Sequence, residues 1–137
     1  MWKSAVSGKY KFFFWLLIRD RLNTRNILCR KNKYLEDYTC VLCQQGVEET
    51  LGHLFFACHF NLQCWQILGI QWDTSLAETE MILQARQHFG SQIFREIAIL
   101  APWCIWTHRN SIILDGGILS LDRWKFSFKS EFSLIKK

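Results

Sequence analysis

The stretch that decides the fold is CVLCQQGVEETLGHLFFAC, residues 40–58. Cys40, Cys43, His53 and Cys58 stand in it with the spacing C-x2-C-x9-H-x4-C. Three thiolates and one imidazole make a closed tetrahedral set of soft ligands that suits Zn²⁺. Since four protein ligands leave no open coordination position, the pattern predicts one structural Zn²⁺ rather than a catalytic one. The alternatives are half of a disulfide framework and a helix that contains sulfur by chance.

His53 and Cys58 set a geometric condition on this prediction. Residues five apart point about 140° away from each other on an ideal α-helix, so they cannot both face one ion from the middle of a straight helix. We therefore expect Cys58 at or just beyond a helix end, with the apolar residues between the two ligands packed inward. His59, which follows directly, is a possible competing ligand.

The redox compartment follows from the N-terminal part. KYKFFFWLLIRDR, residues 9–21, places lysines before a short apolar run, as a secretory signal does. Arg19, Asp20 and Arg21 stand where small cleavage-site residues are expected, and the run is too short to span a bilayer. A buried helix is the better interpretation. We expect an intracellular chain, in the nucleus or cytoplasm and not secreted, whose cysteines are thiols or metal ligands. Cys29, Cys64 and Cys104 are then expected to be small buried apolar residues.

Composition favours helices. Half of the 137 residues are apolar and only one is proline, which predicts a mainly α, small helical domain built around the zinc knuckle. Helices are predicted over residues 9–18, up to 30 after an N-cap at Asn23 or Thr24, 49–57, 61–68, 75–88 with Ser75 as N-cap, from 91 onward, and from 122 onward. At Pro102 the long apolar stretch either kinks or starts a new helix. Residues 1–72 are predicted to form the zinc domain, and residues 73–137 a C-terminal extension of two or three helices packed on it.

Charge is distributed unevenly along the chain. Residues 1–33 carry nine Lys or Arg and one acid, whereas residues 34–80 carry no Lys or Arg. Such a basic block suits a polyanion, because neutralising phosphates releases counterions. A solvated face of a basic helix is the alternative. The candidate phosphate contacts are Lys9, Lys11, Arg19, Arg21, Arg25, Arg30, Lys31 and Lys33.

Residues 9–70 also carry a family resemblance. The motifs FFFWLL, RLNTR, the Cys pair, EET, HLFFAC and the following Trp65 resemble the zinc-binding domain that follows the reverse transcriptase in plant non-LTR retrotransposons. CIWTHRN, residues 104–110, resembles a segment found downstream in many plant copies. The resemblance implies that Cys40, Cys43, His53 and Cys58 bind zinc and that the chain is an N-terminally truncated retroelement fragment. His59 stands where the family usually has proline.

Two classes of function follow. The first is a non-catalytic zinc module that binds RNA or single-stranded DNA non-specifically. The second is a structural or protein-interaction module, or a non-functional retroelement relic. An enzyme is not predicted, because polymerase, ribonuclease H and endonuclease motifs are missing from the sequence. Neither a membrane partner nor a small-molecule substrate is expected, and no oligomeric state is assigned.

Overall fold

A computed structural model describes residues 8–135, and its regular structure is helical. In chain order the elements are α1 (Gly8–Ile18), α2 (Arg25–Arg30), a π-helix (His53–Ala57), α3 (His59–Leu68), α4 (Glu78–Phe89), α5 (Phe94–Asp115) and α6 (Leu121–Ile135). Within these residues, the extended pairing consists of one antiparallel bridge between Thr39 and Glu48. The prediction of a mainly α fold with two or three further C-terminal helices is confirmed: in the described part of the chain three helices, α4 to α6, follow the zinc segment.

Helix α5 is the centre of the packing. It spans 22 residues and contacts α1, α3 and α6. Pro102 lies inside it, so the long apolar stretch is one helix rather than two. Proline has no N–H to donate, and an interior proline costs a helix about 3 kcal/mol. Pro102 is buried and lies beside apolar side chains, which offsets part of that cost.

The core joins the two ends of the chain through aromatic contacts. Phe13 of α1 meets the ring of Trp103 edge-on at 5.4 Å and that of Phe55 at 6.4 Å. On α6, Trp124 and Phe128 are buried, as their helical spacing predicts. Tyr10 donates a hydrogen bond to the Glu131 carboxylate, which ties α1 to α6. Burial is the main cause that raises the pKa of this phenol.

Helix α1 differs from its prediction. It is not buried on most sides: Tyr10, Phe13 and Leu17 face the core, whereas Phe12 and Trp15 face solvent. An unbroken apolar run hides this one-sided arrangement, because periodicity cannot be seen where every residue is apolar.

Helix ends follow the glycines more closely than the predicted N-caps. Gly90 and Gly116 end α4 and α5 in left-handed conformations, with φ of 72° and 65°, which glycine adopts without a steric cost. Ser75 does not cap α4; it bonds the Asp73 carboxylate in the preceding turn, and Ala77 is the N-cap. Among the described helices, none combines the length and apolar character that crossing a bilayer requires.

Candidate metal centre

The first two cysteines lie on a knuckle closed by backbone hydrogen bonds. Cys40 N–H donates to the Val47 carbonyl at 2.7 Å, and Glu49 N–H donates to the Tyr38 carbonyl at 3.0 Å. Between them the chain reverses, with Gly46 at φ 72°. This turn places the Cys40 and Cys43 side chains on the same side, as a C-x2-C pair requires.

The other two ligands flank a π-helix, which solves the geometric problem of their five-residue separation. Cys58 N–H donates to the His53 carbonyl at 2.6 Å, an i to i+5 bond, and Cys58 itself is extended at φ −61°, ψ 131°. The prediction that Cys58 lies just beyond a helix end is confirmed. Leu54 and Phe55 are fully buried between the two ligands.

Two side chains of α3 hold the π-helix in place. A single π-turn leaves carbonyls without helical donors. Asn61 Nδ2 donates to the Leu54 carbonyl at 2.5 Å, and Trp65 Nε1 donates to the Phe55 carbonyl at 2.7 Å. Asn61 and Trp65 are four residues apart and therefore share a face of α3.

The four predicted ligands converge. One donor atom from each of Cys40, Cys43, His53 and Cys58 lies within 4.8 Å of all the others. The Cys40 and Cys58 Sγ atoms are 3.8 Å apart, and Cys43 Sγ is 3.3 Å from His53 Nε2. Zn–S bonds of about 2.3 Å in a tetrahedron place two sulfurs about 3.8 Å apart, and a sulfur and an imidazole nitrogen about 3.5 Å apart. The donor set therefore fits Zn²⁺ in both chemistry and spacing.

Protonation at the cluster also suits a metal. The hydrogen bond between the Cys40 and Cys58 thiols raises the pKa of Cys40, as does burial, and lowers that of Cys58. The backbone N–H groups of Phe60 and Asn61, at the start of α3, further lower the pKa of Cys58. Burial lowers the pKa of His53 by more than the negative charge of Glu49 raises it. A lowered pKa favours the neutral imidazole, which is the form that binds a metal.

Glu49 connects the knuckle to the rest of the fold, a role that the sequence did not reveal. Its side chain is fully buried, and Oε1 accepts from the Arg25 backbone N–H at 2.8 Å. Arg109 of α5 donates from Nε to Oε2 at 2.9 Å and from Nη2 to Oε1 at 2.6 Å. Thr24, one of the two predicted N-cap residues, does occupy the N-cap of α2, but its side chain makes no capping hydrogen bond. The Glu49 carboxylate accepts the Arg25 N–H instead and also anchors α5.

The remaining cysteines and histidines lie outside the cluster. Cys64 and Cys104 are buried, and burial raises the pKa of both thiols, that of Cys104 to about 12. Cys29 is exposed, so the prediction that it is buried was wrong. His59 is exposed on the first turn of α3 and is not part of the four-donor group.

The predicted phosphate contacts are placed unequally. Arg25 is mostly buried; its Nη1 donates to the Thr39 carbonyl at 2.7 Å and lies 3.8 Å from the Asp37 carboxylate. Its guanidinium therefore stabilises the knuckle. Lys11 is half-buried. The other six, which are exposed, are Lys9, Arg19, Arg21, Arg30, Lys31 and Lys33.

Two of the exposed cations have polar partners nearby, and two others, Lys9 and Arg19, lie over aromatic rings. Arg30 lies 3.7 Å from the Asp20 carboxylate, and Lys31 Nζ donates to Asn23 Oδ1 at 3.1 Å. Exposed contacts of this kind contribute little to stability.

The comparisons with known proteins concern the part of the chain that holds the cluster. No curated protein and no solved structure matches the chain. The family model described as zinc-binding in reverse transcriptase matches residues 1–65. That segment contains all four clustered donors, and the matched family is a zinc-binding one, not a catalytic one. Together the match and the cluster support a zinc-binding domain of the kind associated with reverse transcriptase.

Proposed function

We propose that this chain is a non-catalytic, retrotransposon-derived zinc module, of the plant non-LTR type, that binds RNA or single-stranded DNA without sequence preference. The observation that carries the proposal is the convergence of Cys40, Cys43, His53 and Cys58 inside a segment that matches a zinc-binding family. The plant and non-LTR assignment rests on the sequence motifs. The reducing interior of the cell, nucleus or cytoplasm, is the compartment that keeps these thiols available.

The metal is proposed to be one structural Zn²⁺ per chain. Four protein donors fill a tetrahedral shell, so no position remains for a substrate or an activated water. Structural zinc in small modules contributes an apparent free energy of about 10 to 16 kcal/mol near neutral pH, comparable to the whole stability of an ordinary domain, about 5 to 15 kcal/mol. The knuckle and the π-helix are therefore expected to depend on the ion.

The nucleic-acid part of the proposal rests on the exposed basic side chains between Lys9 and Lys33. Positive side chains attract the phosphate backbone whatever the base sequence, so they favour binding without recognition of particular bases. Within the same segment the described acids are few: Asp20 is the only one, and Arg30 lies beside it. Retention of a template strand near a polymerase would need this type of binding.

The test combines metal analysis with a salt titration. The purified chain is expected to contain one zinc per molecule and to bind single-stranded oligonucleotides with an affinity that falls as salt rises. If all six exposed cations contact phosphates, the slope of log K against log salt is about −4, from 0.7 per phosphate on a single strand.

A charge-reversal pair supplies the control. Arg21→Glu with Lys33→Glu is expected to weaken binding and flatten the salt slope, whereas Arg86→Glu with Lys129→Glu, which are exposed on α4 and α6, is expected to have a smaller effect. A folded chain without stoichiometric metal refutes the zinc proposal. A zinc-loaded chain that binds no oligonucleotide at low salt refutes the nucleic-acid proposal and leaves the structural or protein-interaction module.

A further inference from the structure

The outward face of α1 carries an aromatic pair that the core does not use. Phe12 is 62% exposed and Trp15 is 45% exposed. Their rings lie nearly parallel, with an interplanar angle of 10° and centroids 6.1 Å apart. Large aromatic rings exposed side by side on a helix are costly in water, and nothing in the packing of α1 on α5 requires them.

Positive charge surrounds this pair. The Arg19 guanidinium lies over the Trp15 ring, 4.7 Å from its centroid. Lys11 precedes Trp15 by four residues and therefore lies on the same side of the helix. Arg21 is exposed just beyond the end of α1. An exposed aromatic pair with cations over and beside it is complementary to a ligand that has both planar rings and negative charge.

We propose that Phe12 and Trp15 form a stacking platform for the bases of a single-stranded nucleic acid. A base would replace the Arg19 guanidinium that lies over Trp15, and Arg19 would then contact the adjoining phosphate. This rests on the proposed function and adds to it a preference for unpaired strands. In a duplex the bases already stack on one another and offer no free face to a side chain. Every base has such a face when unpaired, so the platform tolerates any sequence.

The test compares the effect of removing the aromatic rings from the protein with the effect of removing the bases from the strand. Binding of wild type and of the Phe12→Ala, Trp15→Ala double variant is measured on a short oligothymidylate and on an abasic strand of equal length. Stacking of one base corresponds to about 5- to 150-fold in affinity. We expect the wild type to lose at least about fivefold on the abasic strand, and the double variant to bind both strands equally.

Two further variants separate stacking from other causes. Phe12→Leu with Trp15→Leu keeps the surface apolar but removes the rings, and is expected to behave like the alanine variant. Phe126→Ala removes a ring of α6 that is more exposed than either, at 72%, and is expected to behave like wild type. Zinc content and circular dichroism establish that each variant is folded.

The possible failures are distinguishable. If wild type binds neither strand at low salt, the proposed function itself is wrong. If wild type binds both strands equally, or if the leucine variant retains full preference for the base-bearing strand, phosphate binding stands and the platform is refuted.

Discussion

Replacing Arg109 by Met is the sharpest test of how the zinc knuckle is attached to the helices. The substitution keeps the volume of the aliphatic stem but removes the guanidinium that bonds the Glu49 carboxylate at 2.6 and 2.9 Å. Arg109 is 7% exposed and Glu49 fully buried, so water cannot replace the lost donors. Removing one partner of a buried ion pair costs about 3 to 5 kcal/mol, because the other charge remains buried without compensation.

The double variant Glu49→Met, Arg109→Met separates the cost of an unpaired buried charge from the net contribution of the ion pair to stability. Replacing both partners by apolar residues is often nearly neutral. Here one loss remains, because Glu49 Oε1 also accepts the Arg25 N–H at the start of α2, and losing a cap costs about 1 kcal/mol. We therefore expect the double variant to be more stable than Arg109→Met alone by about 2 kcal/mol or more.

Urea unfolding at a fixed free-zinc concentration, followed by circular dichroism, measures these differences. Arg86→Met on the exposed face of α4 is the control, and a change within about 0.5 kcal/mol is expected for it. An Arg109→Met variant destabilised by less than about 1 kcal/mol would refute the reasoning, as would a double variant less stable than the single one.

Four other perturbations test separate parts of the structure. Cys43→Ala is expected to abolish stoichiometric zinc and unfold much of the N-terminal half, whereas Cys29→Ala, at an exposed thiol, keeps one zinc by elemental analysis; equal zinc in both would contradict the ligand set. His59→Ala is expected to bind zinc like wild type in a competition assay, and a large loss of affinity would make it a ligand. Burial lowers the pKa of His108 from 6.5 to about 4, so the neutral ring contributes stability above pH 6.5 that is lost as pH falls towards 4, about 2 kcal/mol by pH 5. His108→Phe should reduce the pH dependence of unfolding by that amount; identical pH profiles would show that His108 does not contribute. A fragment of residues 1–72 is expected to bind zinc but to unfold at lower urea than the whole chain, and an unchanged midpoint would show that the later helices add no stability.

The zinc ligands could be predicted from the sequence because their chemistry is local. A C-x2-C pair and a nearby His and Cys restrict the chain to geometries in which all four meet, and the five-residue separation of His53 and Cys58 even indicated an interruption at Cys58. The π-helix that brings His53 and Cys58 together could not be predicted. It depends on hydrogen bonds from the Asn61 and Trp65 side chains to its carbonyls. No spacing or motif in the sequence indicates that these two side chains donate to those carbonyls.

Glu49 shows a different limit. Near the start of a predicted helix, an acid has an adequate local explanation in the helix dipole, so nothing directs attention to a partner sixty residues away. Its fully buried carboxylate becomes intelligible only with Arg109 in place, and Arg109 is itself positioned by α5 and by stacking over Trp106 at 4.4 Å. Charge pairing across such a distance depends on tertiary packing, which residue spacing does not encode.

The family match ends at residue 65, but the contacts that stabilise the matched segment extend beyond it. Residues within the match supply the zinc donors, the buried Glu49 and the inward face of α1. Each of the last two is completed from outside it: Arg109 neutralises the carboxylate, and Trp103 covers Phe13. Without α5, the segment would keep its four zinc donors, but the Glu49 carboxylate would lose its ion-pair partner Arg109. Helix α1 would then expose apolar residues on both of its faces. The four zinc donors fix the local path of the chain, and the later helices are what allow α1 to bury one face while the other stays exposed.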